Sequence, residues 1–437
     1  MSRYETLGPL DLIQRPKQQA IGLLSLFIYT FSAVGSGPAG IEGIIGNSSP
    51  LFAILGILLF PFFWSYAQAL ISAELSLRYK DSNGGAAAWA LKLFGRKACF
   101  LIGTFIILIQ CSTAAFVNEV SVSYIQTVSP GFNTYGKQLM LCILLILASV
   151  AVNVVSIDFT SKMCMLFTIN ALVSFGVLVV LSFPKLDIHR LTEDNIGKSY
   201  KKIDWPVLVN LLVYNSAGYD ASASIIDYVV NPKSNVPRSI LLTAFTISIL
   251  YISSLLFPYL ASRDSYQDWQ VGHFSLAAKQ IGGTWLQMWI VVACILTDAQ
   301  IYFASLQTAS YTLLALADYG VYWKWGSKKT SRGTPHAAMF ACALLSLAFA
   351  IAPLNVNLTI ESVLSSIILI FEAGCLMYID KKTIFAPRDK LQRFFIIAAP
   401  VILATFAISV QPTYTLFAVG AIILLLCVSI MGIDKME

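Results

Sequence analysis

The sequence predicts an all-α membrane protein with twelve transmembrane helices: a five-plus-five inverted-repeat core, broken in helices one and six, followed by two C-terminal helices. Three observations lead there. Only 12% of the 437 residues are charged and 57% are hydrophobic, whereas soluble domains carry about 25% charge. Apolar stretches of roughly 20 residues, the length that crosses a bilayer core, recur from Ala20 to Met431 with few charges inside them. Two of those stretches are interrupted by glycine, proline and small polar residues at corresponding places. With a mean hydropathy of +0.73, the chain has more apolar surface than an aqueous fold can hide, so the bilayer is the expected solvent.

In chain order the spans are expected at 20–46, 50–73, 98–126, 138–157, 163–183, 206–230, 239–260, 284–315, 336–354, 357–379, 394–410 and 412–432. The polar stretch 1–19 reads as a tail, not a secretory signal, because the apolar run after it is too long and lacks a cleavage site. The chain then divides into this tail, a first repeat 20–183, an external loop 184–205, a second repeat 206–379, and closing helices with the C-terminus over 380–437. An even number of spans puts both ends on one side. Of the 29 Lys and Arg, 21 fall on the side of the N-terminus and 8 on the other, so the positive-inside bias predicts cytoplasmic termini. The net charge of +6 is thereby a topology signal and not a mark of nucleic-acid binding. A multi-pass protein of the plasma membrane is expected.

Cys99, Cys111, Cys142, Cys164, Cys294, Cys342, Cys375 and Cys427 stand singly in or beside apolar spans with no C-x-x-C pair, and read as packing residues. Asn47-Ser48-Ser49 and Asn357-Leu358-Thr359 match the glycosylation pattern, yet both lie against a span, where glycans are not expected. No metal site or cofactor is read. The expected partners are the bilayer, a small organic cation and a coupling proton or sodium ion, with no indication either way of an accessory subunit.

The first span carries Gly35-Ser36-Gly37-Pro38-Ala39-Gly40 at its middle, where Pro38 lacks an N–H and the glycines permit unwinding. The sixth carries Asn215-Ser216-Ala217-Gly218-Tyr219-Asp220-Ala221-Ser222-Ala223-Ser224. These are equivalent helices if the first ten spans form two repeats. Paired breaks of this kind point to an inverted-repeat transporter, in which half-helix ends and freed backbone groups form a substrate site near mid-membrane. Kinks or glycine-lined crossings are the plainer explanation.

The spans contain no Lys or Arg, yet Glu42, Glu119, Asp220, Asp227, Asp298, Glu361 and Glu372 lie within them or near their ends. A carboxylate at mid-bilayer costs about 2.5–3.5 kcal/mol on insertion scales, so a proton, a metal cation, or a substrate ammonium or guanidinium is expected to neutralise it. Ser112, Glu119 and Gln126 recur every seven residues as one polar stripe that faces protein or water. Glu361, Ser365 and Glu372 share one helix face within about 40° at 3.6 residues per turn. Asp298, with Gln300 and Ser305, sits near the centre of the eighth span, placed to meet the first helix and bind a coupling cation. Tyr29, Trp64, Tyr214, Tyr219 and Tyr302 are candidates for cation–π contact, although aromatic residues in membrane helices are more often packing.

Gly37-Pro38-Ala39-Gly40-Ile41-Glu42 resembles the G-P-F-G-I-E break of the amino acid-polyamine-organocation superfamily, with Ala39 in place of the aromatic residue. Pro61-Phe62-Phe63-Trp64, Ala69 to Leu75, Asn83-Gly84-Gly85 and Trp89 are similar to its second helix and first cytoplasmic loop. Tyr219-Asp220, Ser222, Ser224, Asp227, Asn231-Pro232-Lys233 and Pro237-Arg238 resemble the sixth-helix pattern of its eukaryotic polyamine uptake group. Tyr219 stands where that group has Trp, Asp227 where it has Glu, and the segment after helix ten lacks its R-P-[YF] run. The resemblance covers roughly residues 20 to 380 and implies alternating access coupled to a proton or an exchange gradient. By motif match it implies substrate-site roles for Gly35, Ser36, Gly37, Ala39, Gly40 and Glu42, and for Asn215, Gly218, Tyr219 and Asp220. Glu119 and Glu372 join them as membrane acids, and Asp298 and Glu42 are the coupling-ion candidates. A cationic amino acid carrier on the same scaffold is the alternative, its substrate carboxylate held by free amides near Ser36-Gly37. An intramembrane aspartyl protease would need G-x-G-D, but Ile295-Leu296-Thr297 precedes Asp298, and neither H-E-x-x-H nor G-x-S-x-G occurs. A nutrient sensor built on a transporter scaffold would bind without uptake.

Overall fold

A computed structural model describes residues 22–34, 37–79, 85–132, 134–155, 157–193, 203–219, 229–330, 334–378 and 390–430. Within them seven helices are long and apolar enough to cross a membrane. The first expected span is divided into α1 (Leu23–Val34) and α2 (Glu42–Gly46). The second is a kinked pair, α3 (Pro50–Phe63) and α4 (Ser65–Arg78), bent at Trp64 three residues after Pro61. There follow α5 (Ala86–Phe94), α6 (Arg96–Val128), α7 (Tyr135–Val155), α8 (Ile157–Ser182) and the short α9 (His189–Glu193). The second half holds α10 (Trp205–Asn215), α11 (Pro232–Ala261), α12 (His273–Gly282), α13 (Thr284–Asp318), α14 (His336–Phe349) and α15 (Leu354–Tyr378). The chain closes with α16 (Lys390–Ser409) and α17 (Thr413–Ile430).

The long helices α6 and α13 pack on each other at the centre, with α15 and α8 alongside. Apolar residues such as Leu144, Leu147, Met165, Phe245 and Phe340 stay exposed on the outer helices. That is the pattern of a bundle whose surroundings are hydrocarbon, not water. Seven cysteines are described; all are free and buried or half-buried. Asn357 is fully buried and its amide donates to Phe349 O, which removes it as a glycan acceptor.

Helices α5, α9 and α12 fall in segments that the sequence reading left between spans. Five to ten residues are too few to cross a bilayer, and in α5 and α12 burial of one face decides the helical state. In α5 the buried run is Ala86 to Ala90, and in α12 it includes Phe274, Ala277, Ala278 and Ile281. These two helices also expose a repeat. Each enters from a glycine at positive φ, Gly85 at 55° and Gly272 at 97°. Each ends at a second glycine, Gly95 (φ 86°, ψ −172°) or Gly283 (φ 87°, ψ −172°), that starts the long α6 or α13. A side chain on L-residues opposes that region, so glycine serves both corners.

Candidate functional site

Both breaks are present, and each is held from the other half of the chain. In the first, Gly37 (φ 147°) and Gly40 (φ 89°) turn the backbone between α1 and α2. The carbonyl of Val34, freed where α1 stops, accepts a hydrogen bond from the Tyr251 hydroxyl of α11 at 3.4 Å. In the second, α10 ends at Asn215 and Gly218 has φ 92°. There the Ser216 carbonyl accepts from the Ser65 hydroxyl of α4 at 2.7 Å. Helix α4 falls in the second expected span and α11 in the seventh, so each break is capped by a hydroxyl from the other half of the chain. Neither Ser65 nor Tyr251 was singled out from sequence, because a hydroxyl in an apolar run does not reveal which distant carbonyl it faces.

Glu42 is fully buried at the start of α2 and its carboxyl accepts three hydrogen bonds. Tyr124 of α6 donates to Oε1 at 2.6 Å, the Gly272 amide to the same oxygen at 2.8 Å, and the Gly40 amide to Oε2 at 2.9 Å. One side chain thereby ties the first break to α6 and to the corner that opens α12. The fit is close: a Cβ on Gly46 would lie 2.2 Å from the Trp269 carbonyl oxygen.

Asp298 on α13 is buried and accepts from the Ser121 hydroxyl of α6 at 2.8 Å. Its neighbour Thr297 approaches the first break so closely that a Cβ on Gly37 would sit 2.8 Å from Thr297 Cγ2. The expected meeting of the eighth span with helix one is therefore found, with Ser121 as a partner the sequence did not indicate. The seven-residue stripe on α6 faces protein. Ser112 donates to Asn357 O at 2.8 Å, Glu119 accepts from the Asn357 amide at 3.5 Å, and Gln126 donates to Phe132 O at 3.0 Å.

On α15, Glu361 and Glu372 are both buried. Thr113 of α6 faces Glu361, and Ser72 of α4 lies 3.5 Å from Glu372 Oε2. Ala39, Gly40 and Tyr219 are buried at the breaks, and the Asn215 amide turns back onto Leu211 O at 2.8 Å. Trp64 stacks on Phe60 with centroids 5.4 Å apart, and Tyr214 meets Phe116 edge-on at 4.6 Å. Tyr302 is buried. A crevice of about 10 Å³, room for one water, runs beside the second break between Pro61, Leu212, Asn215, Ser216 and Tyr251. Gly35, Ser36, Asp220 and Asp227 lie outside the described residues, as does the side chain of Tyr29.

The amino acid permease family matches the chain over residues 21–434. The chain is similar to an Arabidopsis thaliana protein named as a probable polyamine transporter, with 26% identity over 337 residues, 76% of this chain and 67% of that protein. It is similar to the polyamine transporter RMV1 of the same plant, with 27% identity over 319 residues, 72% of this chain and 64% of the relative. Polyamine transporter PUT1 of Oryza sativa subsp. japonica is 25% identical over 336 residues, 77% of this chain and 62% of the relative. The matched stretch thus spans about two thirds of the length of these curated relatives.

Proposed function

The chain belongs to the amino acid permease family, and on that premise we propose that it is a secondary transporter carrying polyamines, organic cations like putrescine and spermidine, across a membrane by alternating access. Transport is coupled to a proton or runs by exchange. The observation that carries the cargo reading is the set of buried acids. Among the described residues, Glu42, Asp298 and Glu361 have no Lys or Arg within ion-pairing distance. Acids in an apolar bundle that lack a basic partner suit a cationic cargo and a cationic coupling ion. Relatives named as polyamine transporters support the same choice.

The twelve-span layout, with repeats 20–183 and 206–379, draws support from the doubled helix–glycine–long-helix unit and the reciprocal hydroxyl caps. In this layout both termini are cytoplasmic and the plasma membrane is the site of action. Substrate contacts come from Gly35, Ser36, Gly37, Ala39, Gly40 and Glu42 on the first break, and from Asn215, Gly218, Tyr219 and Asp220 on the second, with Glu119 and Glu372 as further substrate-binding acids. Asp298 and Glu42 are the coupling-ion candidates. A cationic amino acid carrier is the second reading, favoured by the family's own description.

Counterflow in proteoliposomes with labelled putrescine, spermidine, arginine, lysine and leucine, with and without proton and sodium gradients, tests both. Putrescine and spermidine are expected to exchange. Exchange of amino acids without either polyamine would reject the cargo. Binding without any exchange would favour a sensor.

A further inference from the structure

Of the acids inside the bundle, one carboxyl stands apart from the others by its surroundings. Glu42 has three donors and Asp298 has the Ser121 hydroxyl. Glu361 is 3% exposed, and its Oε2 has no hydrogen-bond partner and no contact with solvent. Thr113 of α6 faces the carboxyl. One turn away on the same helix, Asn357 Oδ1 is also buried without a partner, while the Asn357 amide reaches the Glu119 carboxyl. A buried ionised oxygen with a single hydroxyl beside its carboxyl is a configuration that protein interiors avoid.

We propose that Glu361 is a further proton-binding residue of the transport cycle, beyond the coupling-ion candidates Asp298 and Glu42, loaded with a proton in the conformation seen here and served through Asn357 and Glu119. The assignment rests on the reading of the chain as a proton-coupled carrier. The occupant is identified by size and ligation. A sodium ion or a substrate ammonium needs a coordination shell of several oxygens, and Oε2 is closed even to water. A proton needs no volume, and it turns the carboxyl into a donor.

The neighbours agree. Helix α15 packs against α4, α5, α6, α10, α16 and α17. Tyr214 on α10 meets Phe116 of α6 edge-on. On α6, Glu119 meets the Asn357 amide and Cys111 turns to the Cys342 carbonyl of α14, while α4 carries Tyr66. Glu74, Arg78 and Lys92 on α4 and α5 belong to the far end of α15, where Ser72 meets Glu372 and Phe94 packs on Phe371 and Tyr378. Helices α16 and α17 present no titratable group among the described side chains. Among the described side chains, no cationic group therefore competes with a proton at Glu361.

Reconstituted wild type and Glu361→Gln are compared in two assays, using whichever cargo the wild type exchanges, so that a wrong cargo does not confound the outcome. Counterflow reads cargo exchange, and a pH dye trapped in the liposomes reads proton movement during uptake. Glu361→Gln should keep counterflow within about threefold, while losing cargo-driven proton movement and accumulation driven by a proton gradient. Infrared difference spectra should lose one protonated-carboxyl band. Unaltered proton movement in the variant, or a wild type that moves no proton with any cargo, overturns the assignment. If the glutamine variant fails to fold, Thr113→Val decides. It removes the hydroxyl that faces the carboxyl and should shift the pH of half-maximal accumulation, whereas an unmoved midpoint overturns the proposal.

Discussion

Replacing Glu42 by glutamine keeps the side chain's shape and removes one acceptor. The carboxyl takes donors on both oxygens: Tyr124 and Gly272 on Oε1, and Gly40 on Oε2. The amide oxygen of glutamine satisfies the first pair, and its NH2 then faces the Gly40 N–H, donor against donor. One buried backbone N–H left without a partner costs about 1–3 kcal/mol. At 1.36 kcal/mol per tenfold, that is about a five- to 160-fold rise in the population of opened molecules. The contact joins the first break to the corner at Gly272, so the opening should appear in residues 37–46 and 265–282 and not in α7. Hydrogen exchange by mass spectrometry in detergent measures it, with a thermal melt as a check on folding. Exchange in both segments within twofold of wild type would refute the account of Glu42 as the tie between break and corner. Unchanged exchange together with lost cargo affinity would return Glu42 to its expected role as a ligand.

Asp220→Asn, motivated by its place after the break in helix six, should weaken cargo binding by about a hundredfold to a few thousandfold, from the roughly 3–5 kcal/mol lost when a buried charge loses its partner; near-equal affinities by calorimetry would make Asp220 structural. Asp298→Asn keeps an oxygen for the Ser121 hydroxyl, so it should fold and bind cargo yet lose gradient-driven accumulation; weakened binding with normal gradient dependence would count against the coupling role. Gly46→Ala forces a methyl group against the Trp269 carbonyl and should destabilise by about 1–3 kcal/mol, read as a lower melting temperature that an unchanged melt would contradict. Gln411, just after α16, and Asn210, in the middle of α10, exchange amide hydrogen bonds at 2.8 and 3.2 Å. Gln411→Leu should therefore cost about 1–3 kcal/mol, partly restored by Asn210→Leu in the same chain, and strict additivity in melts would show that the two do not act as a pair.

Composition and periodicity are local properties, and by themselves they determined that the bilayer is this chain's solvent, that it is all helical, and where helices one and six give way. An unbroken run such as Leu139–Leu147 has no other home, and Gly37-Pro38 or Gly218 announces a turn whatever surrounds it. The motif match to the family was likewise legible in residue order. The tertiary structure alone decided which acids are satisfied. Glu42, Asp298 and Glu361 look alike in the sequence, each one carboxyl in an apolar run. The donors that separate them arrive from 82 and 230 residues away for Glu42 and from 177 for Asp298, while Glu361 Oε2 is left without a hydrogen-bond partner. The helices α5 and α12 escaped notice for the same reason, since their periodicity is too short to speak until one face is buried. A hydrogen bond needs position to within a few tenths of an ångström. That position is set by the packing of helices distant in sequence, so it cannot be read along the chain.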